Sequence, residues 1–299
     1  AGPLVGPVIA AQFGYLPGVL WILIGSVLAG AVHDFVLLFA SVRYNGKSIA
    51  DIAKGEISSV AGIGTMLATL FLLIITMAGM AAVVANSLEN SPWGFFTVSM
   101  TIPIAVFIGI YLRWLRPGKI REATIIGVAM ILAAVFYGPD VAASSWAPYF
   151  TYDRQSIEVM LAVYSFFAAA LPVWLLLAPR GYLSTYMKVG TIGALALGII
   201  VVMPVIHMPA FSDYVWGGGP VLSGSAIPFV FITIACGALS GFHATVSTGT
   251  TPKMITNEKE MLPIGYGAML TEAFIAMMAL IAATSLNPND YFAINSTAE

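Results

Sequence analysis

Charge is what this chain has least of. Asp, Glu, Lys and Arg together make up 9% of its 299 residues, against about 25% in soluble globular domains. That shortage excludes an ordinary soluble fold. With 59% hydrophobic residues and a mean hydropathy of +0.93, the composition indicates a polytopic membrane protein. Cysteine is scarcer still: the single Cys236 excludes an internal disulfide and any cysteine-rich metal site. It reads as a small apolar residue within a span. Three dispersed histidines, His33, His207 and His243, supply no metal-ligand spacing, so neither a metal nor a cofactor is expected. A net charge of −2, with the basic residues scattered, gives no nucleic-acid-binding patch. No secretory leader is visible. The chain opens inside an apolar segment at Ala1 without an initiator methionine, which leads us to expect a piece of a longer protein.

What is abundant is long apolar runs. Nine segments are expected, at 1–16, 17–42, 60–88, 92–112, 121–139, 156–179, 184–206, 226–252 and 261–286. A span needs ~20 residues. Together they read as one all-α transmembrane domain covering 1–299. The basic residues alternate between the intervening loops. Loops 43–59, 113–121, 180–188 and 253–260 carry eleven of the twelve Lys and Arg, leaving only Arg154 elsewhere. By the positive-inside rule those four loops are cytoplasmic. Trp21, Trp93 and Trp114 fall at span ends and Trp146 and Trp216 in outer loops, as an aromatic belt requires, whereas Trp174 lies deeper and reads as packing. Within loop 43–59, Ser48-Ile-Ala-Asp51 has the form of a capping box and predicts a short interfacial helix.

Two stretches break the pattern. The opening Ala1-Gly-Pro-Leu-Val-Gly-Pro7 places two Gly-Pro pairs in an apolar segment, which predicts unwound backbone before a short helix from Pro7 to about Tyr15. The run Cys236–Lys253 fills a span with Gly237, Gly241 and Gly249, six hydroxyls and His243; a break is expected near Ser240–Gly249. Unwound backbone at membrane depth survives only when buried in protein or lining a cavity. The two breaks are seven segments apart along the chain, an odd step, so they run in opposite senses, as in an inverted-repeat transporter with discontinuous helices. Free N–H groups of Gly2, Leu4, Val5 and Gly6, around Pro3, are then candidates for a substrate carboxylate. Ser240, Gly241, His243, Thr245 and Ser247 are candidates from the second break.

Acids within spans are costly and call for a function or a partner. Asp34, beside His33, follows Ser26 and Gly30 at helical spacing. Glu272 shares a stripe with Gly265, Ala268, Ala276 and Ala279. Both faces are small enough to pack closely against protein. Glu272, Asp34 and His33 are therefore candidates for coupling to a proton or another cation, with neutral structural acids as the alternative. Arg180 reads as a side chain reaching for the interface, or as an attractor of anions at the inner mouth.

The same stretches carry a likeness. Ala1–Pro7, Gly14-Tyr-Leu-Pro-Gly-Val-Leu-Trp21, Leu28–Phe35, Leu171–Thr185, Cys236–His243, Ser247–Lys253 and Gly265–Leu270 with Glu272 resemble the carbon starvation protein A family of peptide transporters, end to end. The resemblance implies a multi-pass protein of the bacterial inner membrane that takes up peptides when carbon runs out. Close relatives import pyruvate with protons. It also implies the amino acid–polyamine–organocation superfamily, with the LeuT-like inverted repeat only partly present, and longer members with further spans on both sides. One position departs: Gly181 stands where such proteins carry aspartate after Ala-Pro-Arg. The expected partners are peptides or pyruvate, a proton or sodium as coupling ion, and the lipid bilayer; the oligomeric state stays open. An intramembrane hydrolase built on Ser240 and His243 is the rival class, but Gly237-Ala-Leu-Ser-Gly241 is not Gly-x-Ser-x-Gly, and His-Glu-x-x-His is missing. A channel or a membrane starvation sensor is the other rival.

Overall fold

Apolar sequence in runs of about twenty residues has one economical structure in lipid, the α-helix, which pairs its own backbone. The structure, a computed structural model, describes residues 2–172 and 174–296. Among them there are helices and turns and no strand. The helices are α1 Gly2–Ala10, α2 Tyr15–Gly25, α3 Ala31–Arg43, α4 Ile49–Glu56, α5 Ser59–Leu88, α6 Pro92–Ile110 and α7 Ile120–Ala143. They continue with α8 Arg154–Ala170, α9 Leu177–Val202, α10 Ala226–Thr233, α11 Ala235–Ala238, α12 Gly241–Gly249, α13 Met261–Thr284 and α14 Pro288–Asn295. Six stretches are long and apolar enough to cross a membrane: Tyr15–Arg43, Ser59–Leu88, Pro92–Leu115, Ile120–Ala143, Leu177–Val202 and Glu258–Thr284. The other three expected segments are short or interrupted: α1, the 17-residue α8, and the three pieces α10, α11 and α12.

The chain packs as two compact units. One runs to Thr76 and resumes at Leu195; the other is Met77–Ala194. In the first, α1, α2, α10, α13 and α14 surround a core of Phe13, Ile22, Ile234, Leu280 and Tyr291. Its helices meet through small residues, as membrane helices do where burial offers no hydrophobic gain. A Cβ on Gly30 would lie 2.3 Å from the Ala238 carbonyl oxygen, one on Gly237 2.5 Å from the Ala276 methyl, and one on Gly265 2.8 Å from the Phe35 Cα. Buried Gln12 receives the backbone N–H groups of Val221 and Leu222 and donates to the Leu222 carbonyl, fixing the segment before α10 against the end of α1. Tyr291, fully buried, donates to the Val8 and Ile9 carbonyls at the end of α1. Burial pushes its phenol up to about 12, which keeps it a donor. In the second unit α6, α7 and α9 close on Ile104, Ile108, Ala123, Ile131 and Leu183.

Ser48 caps α4 as its sequence predicts, accepting the Asp51 N–H at 3.2 Å and donating to its carboxylate. Three expectations are corrected. The opening is not unwound: α1 is helical from Gly2, with Pro7 inside it. Pro3 falls in the first turn, where a missing N–H removes nothing, and Pro7 forfeits one bond in a helix held by its packing. Ala1 lies outside the described residues. Next, 180–188 is not a turn. The chain leaves the helix at Leu171 and re-enters at Leu177, because a residue before proline is driven out of the α region and Pro172 follows Leu171. Arg180 and Lys188 are thus residues of α9. Finally, 240–249 is helical from Gly241 onward; the break itself lies at Leu239 (φ −158°, ψ 95°) and Ser240 (φ −88°, ψ 111°).

Candidate functional site

Three elements of the first unit converge on one imidazole. α3 contributes Asp34, 3% exposed. The segment preceding it, Ser26–Gly30, is a π-turn, a feature often found at functional sites. α12 contributes His243, one turn past the break. α13 contributes Glu272. The His243 ring lies between the two acids: Nδ1 is 2.6 Å from Asp34 Oδ2, and Nε2 is 2.8 Å from Glu272 Oε2. The second oxygen of each acid is also engaged. His33 Nδ1 lies 2.9 Å from Asp34 Oδ1, and the Cys236 thiol donates to Glu272 Oε1 at 3.0 Å. Ser240 Oγ stands 4.0 Å from Cys236 Sγ.

This geometry counts protons. Two hydrogen bonds to the imidazole nitrogens require two protons, and a neutral imidazole brings one. The other sits on the ring, as an imidazolium between two carboxylates, or on one carboxyl. In either form the trio carries one net negative charge. Removing that proton leaves two negative charges and turns a ring lone pair against a carboxylate oxygen. The arrangement can gain or lose a proton only by remaking these hydrogen bonds. The ring stands between the acids, so the two carboxylate oxygens that face it do not meet at one point.

The structure therefore brings together five of the expected residues: Asp34, His33, Glu272, His243 and Ser240. Others stay apart. Gly6 presses its Cα against α10, where a Cβ would fall 2.0 Å from the Thr233 carbonyl oxygen. Leu4 and Val5 are exposed. Gly2 and Pro3 are in the first turn of α1, and their side-chain surroundings lie outside the described residues. Gly241 begins α12, where a Cβ would meet only the Leu72 side chain, at 3.9 Å. The Thr245 hydroxyl donates to its own helix at the Phe242 carbonyl, and Ser247 is buried one turn beyond His243 with no hydrogen bond to the trio among the described residues. Thr248 anchors α12 instead: its carbonyl accepts from the buried Ser41 hydroxyl of α3 at 3.1 Å. Sequence reasoning missed Cys236, taken as apolar filler; its one-turn offset from Ser240 in an interrupted span was the available signal. Arg180 bonds Thr101 and Tyr164 in the second unit.

Comparison with known proteins gives a consistent picture. The family model for carbon starvation protein CstA matches residues 1–299. A peptide transporter CstA of Bacillus subtilis is 56% identical over all of this chain and 50% of that protein. A peptide transporter CstA of Escherichia coli is 53% identical over 99% of this chain and 42% of its own length. The pyruvate/proton symporter BtsT of the same organism is 51% identical over 99% of this chain and 43% of its own length. The chain thus spans about half or less of the length of these relatives. No solved structure matches. With six apolar helices able to span a bilayer, it is a multi-pass inner-membrane protein, and by its full-length match it belongs to the carbon starvation protein CstA family.

Proposed function

We propose that this chain is the proton-handling part of a secondary-active transporter that takes up small carboxylate-bearing nutrients, peptides first. The observation that carries the reading is the His243 ring held between Asp34 and Glu272. Protonated, the trio ties α3, α12 and α13 together. Deprotonated, it sets like charges against each other in a site of low dielectric, where that repulsion is strong, and α12 is the piece freed to move by the break at Leu239–Ser240. Ser240, His243 and the backbone of Gly241 would meet the polar groups of the substrate there. His33, one-third exposed, would pass the proton to or from Asp34. Proton rather than sodium coupling follows from the way the ring keeps the carboxylates apart. In this reading the two compact units are parts of one transmembrane domain. The inverted-repeat architecture of the amino acid–polyamine–organocation superfamily rests on the one discontinuous span.

Pyruvate is the second substrate reading, favoured by a relative named as a pyruvate/proton symporter at 51% identity. The test uses the full-length protein in proteoliposomes with labelled alanyl-alanine or pyruvate. Glu272→Gln keeps the size and hydrogen-bonding capacity of the side chain and removes its carboxylate. It should abolish accumulation driven by a pH gradient while sparing exchange of substrate across the membrane. Undiminished accumulation by Glu272→Gln would sink the proposal.

A further inference from the structure

Arg180 of the second unit is a cation without a counter-charge. Its Nε donates to Thr101 Oγ1 at 3.2 Å, its Nη1 to the Tyr164 hydroxyl, and its guanidinium carbon lies 4.7 Å from the centre of the Tyr164 ring. All of these partners are neutral. Among the described residues no carboxylate is within ion-pair distance of it. Its partners lie well inside their helices: Thr101 is nine residues beyond Pro92 in α6 and Tyr164 ten beyond Arg154 in α8. An unpaired guanidinium held against membrane-spanning helices is costly and marks a site for a ligand or ion.

The surroundings are built to receive one. Arg180 lines a cavity of about 660 Å³ together with Thr101, Tyr164, Gly181, Ser184 and Lys188. Of its five N–H groups, two are spent on Thr101 and Tyr164. One on Nη1 and both on Nη2 remain, and their parallel pair matches the two oxygens of a carboxylate. Thr101 and Tyr164 hold the fork, so little side-chain freedom is lost on binding. Gly181 also lines the cavity, and a Cβ there would meet nothing within 4 Å.

We propose that this cavity is a carboxylate-binding site for a small organic anion, with Arg180 as its anchor. The inference concerns binding in the second unit and stands apart from the proton trio of the first, so either can fail without the other. The test measures equilibrium binding to the purified full-length protein at constant pH, with no gradient. Pyruvate and alanyl-alanine are the labelled probes; the C-terminal amide of alanyl-alanine and inorganic phosphate are the competitors. Arg180→Gln should weaken binding roughly ten-fold or more, the scale of one lost charge-assisted contact. Gly181→Asp places a carboxylate at the cavity wall, next to Arg180 in sequence, and should weaken binding as much, with its melting temperature unchanged. Neither the amide nor phosphate should compete as well as the unlabelled acid. If Arg180→Gln does not fold, Gly181→Asp decides alone. Affinity within two-fold of the parent in Gly181→Asp overturns the proposal. So does equal competition by the amide or phosphate, or the lack of saturable binding of both probes by the parent.

Discussion

Two stretches of this chain look alike in sequence and differ in structure. Residues 2–10 and 236–249 both combine glycine with helix-disfavouring residues inside apolar segments, and both read as unwound. Only the second is broken. In α1 the glycine serves contact: Gly6 has no Cβ, and that gap admits the Thr233 carbonyl. In the second stretch Gly237 also serves contact, against Ala276, while the chain leaves the helix at Leu239 and Ser240, neither of them glycine. Gly-rich composition therefore marks two different things in a membrane, close approach and interruption. What separates them is whether another backbone occupies the place of the missing side chain.

The effect expected to reach the whole fold lies on the contact side. Gly6→Val would force a branched side chain into the Thr233 carbonyl, with no flexible neighbour to yield. Overpacking of this kind costs roughly 1–3 kcal/mol or more. The full-length protein with Gly6→Val should lose most of its folded yield in membranes, read by detergent extraction and size-exclusion profile. A monodisperse protein of normal yield would show that α1 can separate from α10, and would revive an unwound opening.

The interrupted side carries chemistry, so its variants should divide stability from transport. His243→Ala removes the ring between the two acids and leaves Asp34 and Glu272 buried without their shared partner. Breaking a buried pair in this way costs roughly 3–5 kcal/mol. The melting temperature of the detergent-solubilised full-length protein should fall clearly further than it does for Glu272→Gln, and proton-driven accumulation should vanish in both. Equal melting temperatures in the two variants would mean that the ring does not hold α3, α12 and α13 together.

The trio shows how much the sequence can disclose. Small residues one and two turns before Asp34, and a stripe of them around Glu272, mark both acids as facing protein, and both do. The meeting of Asp34 with His243 bridges 209 positions, and no local pattern encodes which buried acid a distant histidine finds. Pro172 was a legible helix stop, yet it was outweighed by the apolar run through Ala178. The helical opening was hidden because proline in a first turn is silent. Cys236 was hidden because a thiol serves equally well as filler and as donor.

Cys236 gives a smaller effect. Its thiol is the donor to the second oxygen of Glu272, and a neutral donor to a charged acceptor is worth about 1.5–3 kcal/mol when it is an ordinary hydrogen bond, less for a weak S–H donor. Cys236→Ala should therefore slow proton-driven uptake several-fold, and Cys236→Ser should restore it. If both variants transport alike, the thiol is filler after all.

The smallest effect is expected at Gly241, where the comparison becomes sharpest. It is the first residue of α12, and a Cβ there would meet only Leu72, at 3.9 Å. Its φ is not in the left-handed region, so alanine fits the backbone. Gly→Ala at a compatible site stabilises by roughly 0.4–1 kcal/mol, chiefly by restricting the unfolded chain. Gly241→Ala should leave the melting temperature equal or slightly raised, in contrast with Gly6→Val. Because Leu239 and Ser240 already hold the interruption, proton-driven uptake should also remain within two-fold of the parent. A variant that melts normally but transports poorly would give Gly241 a different part: a hinge whose freedom the transport cycle uses. The break would then owe its motion to glycine and only its position to Leu239 and Ser240.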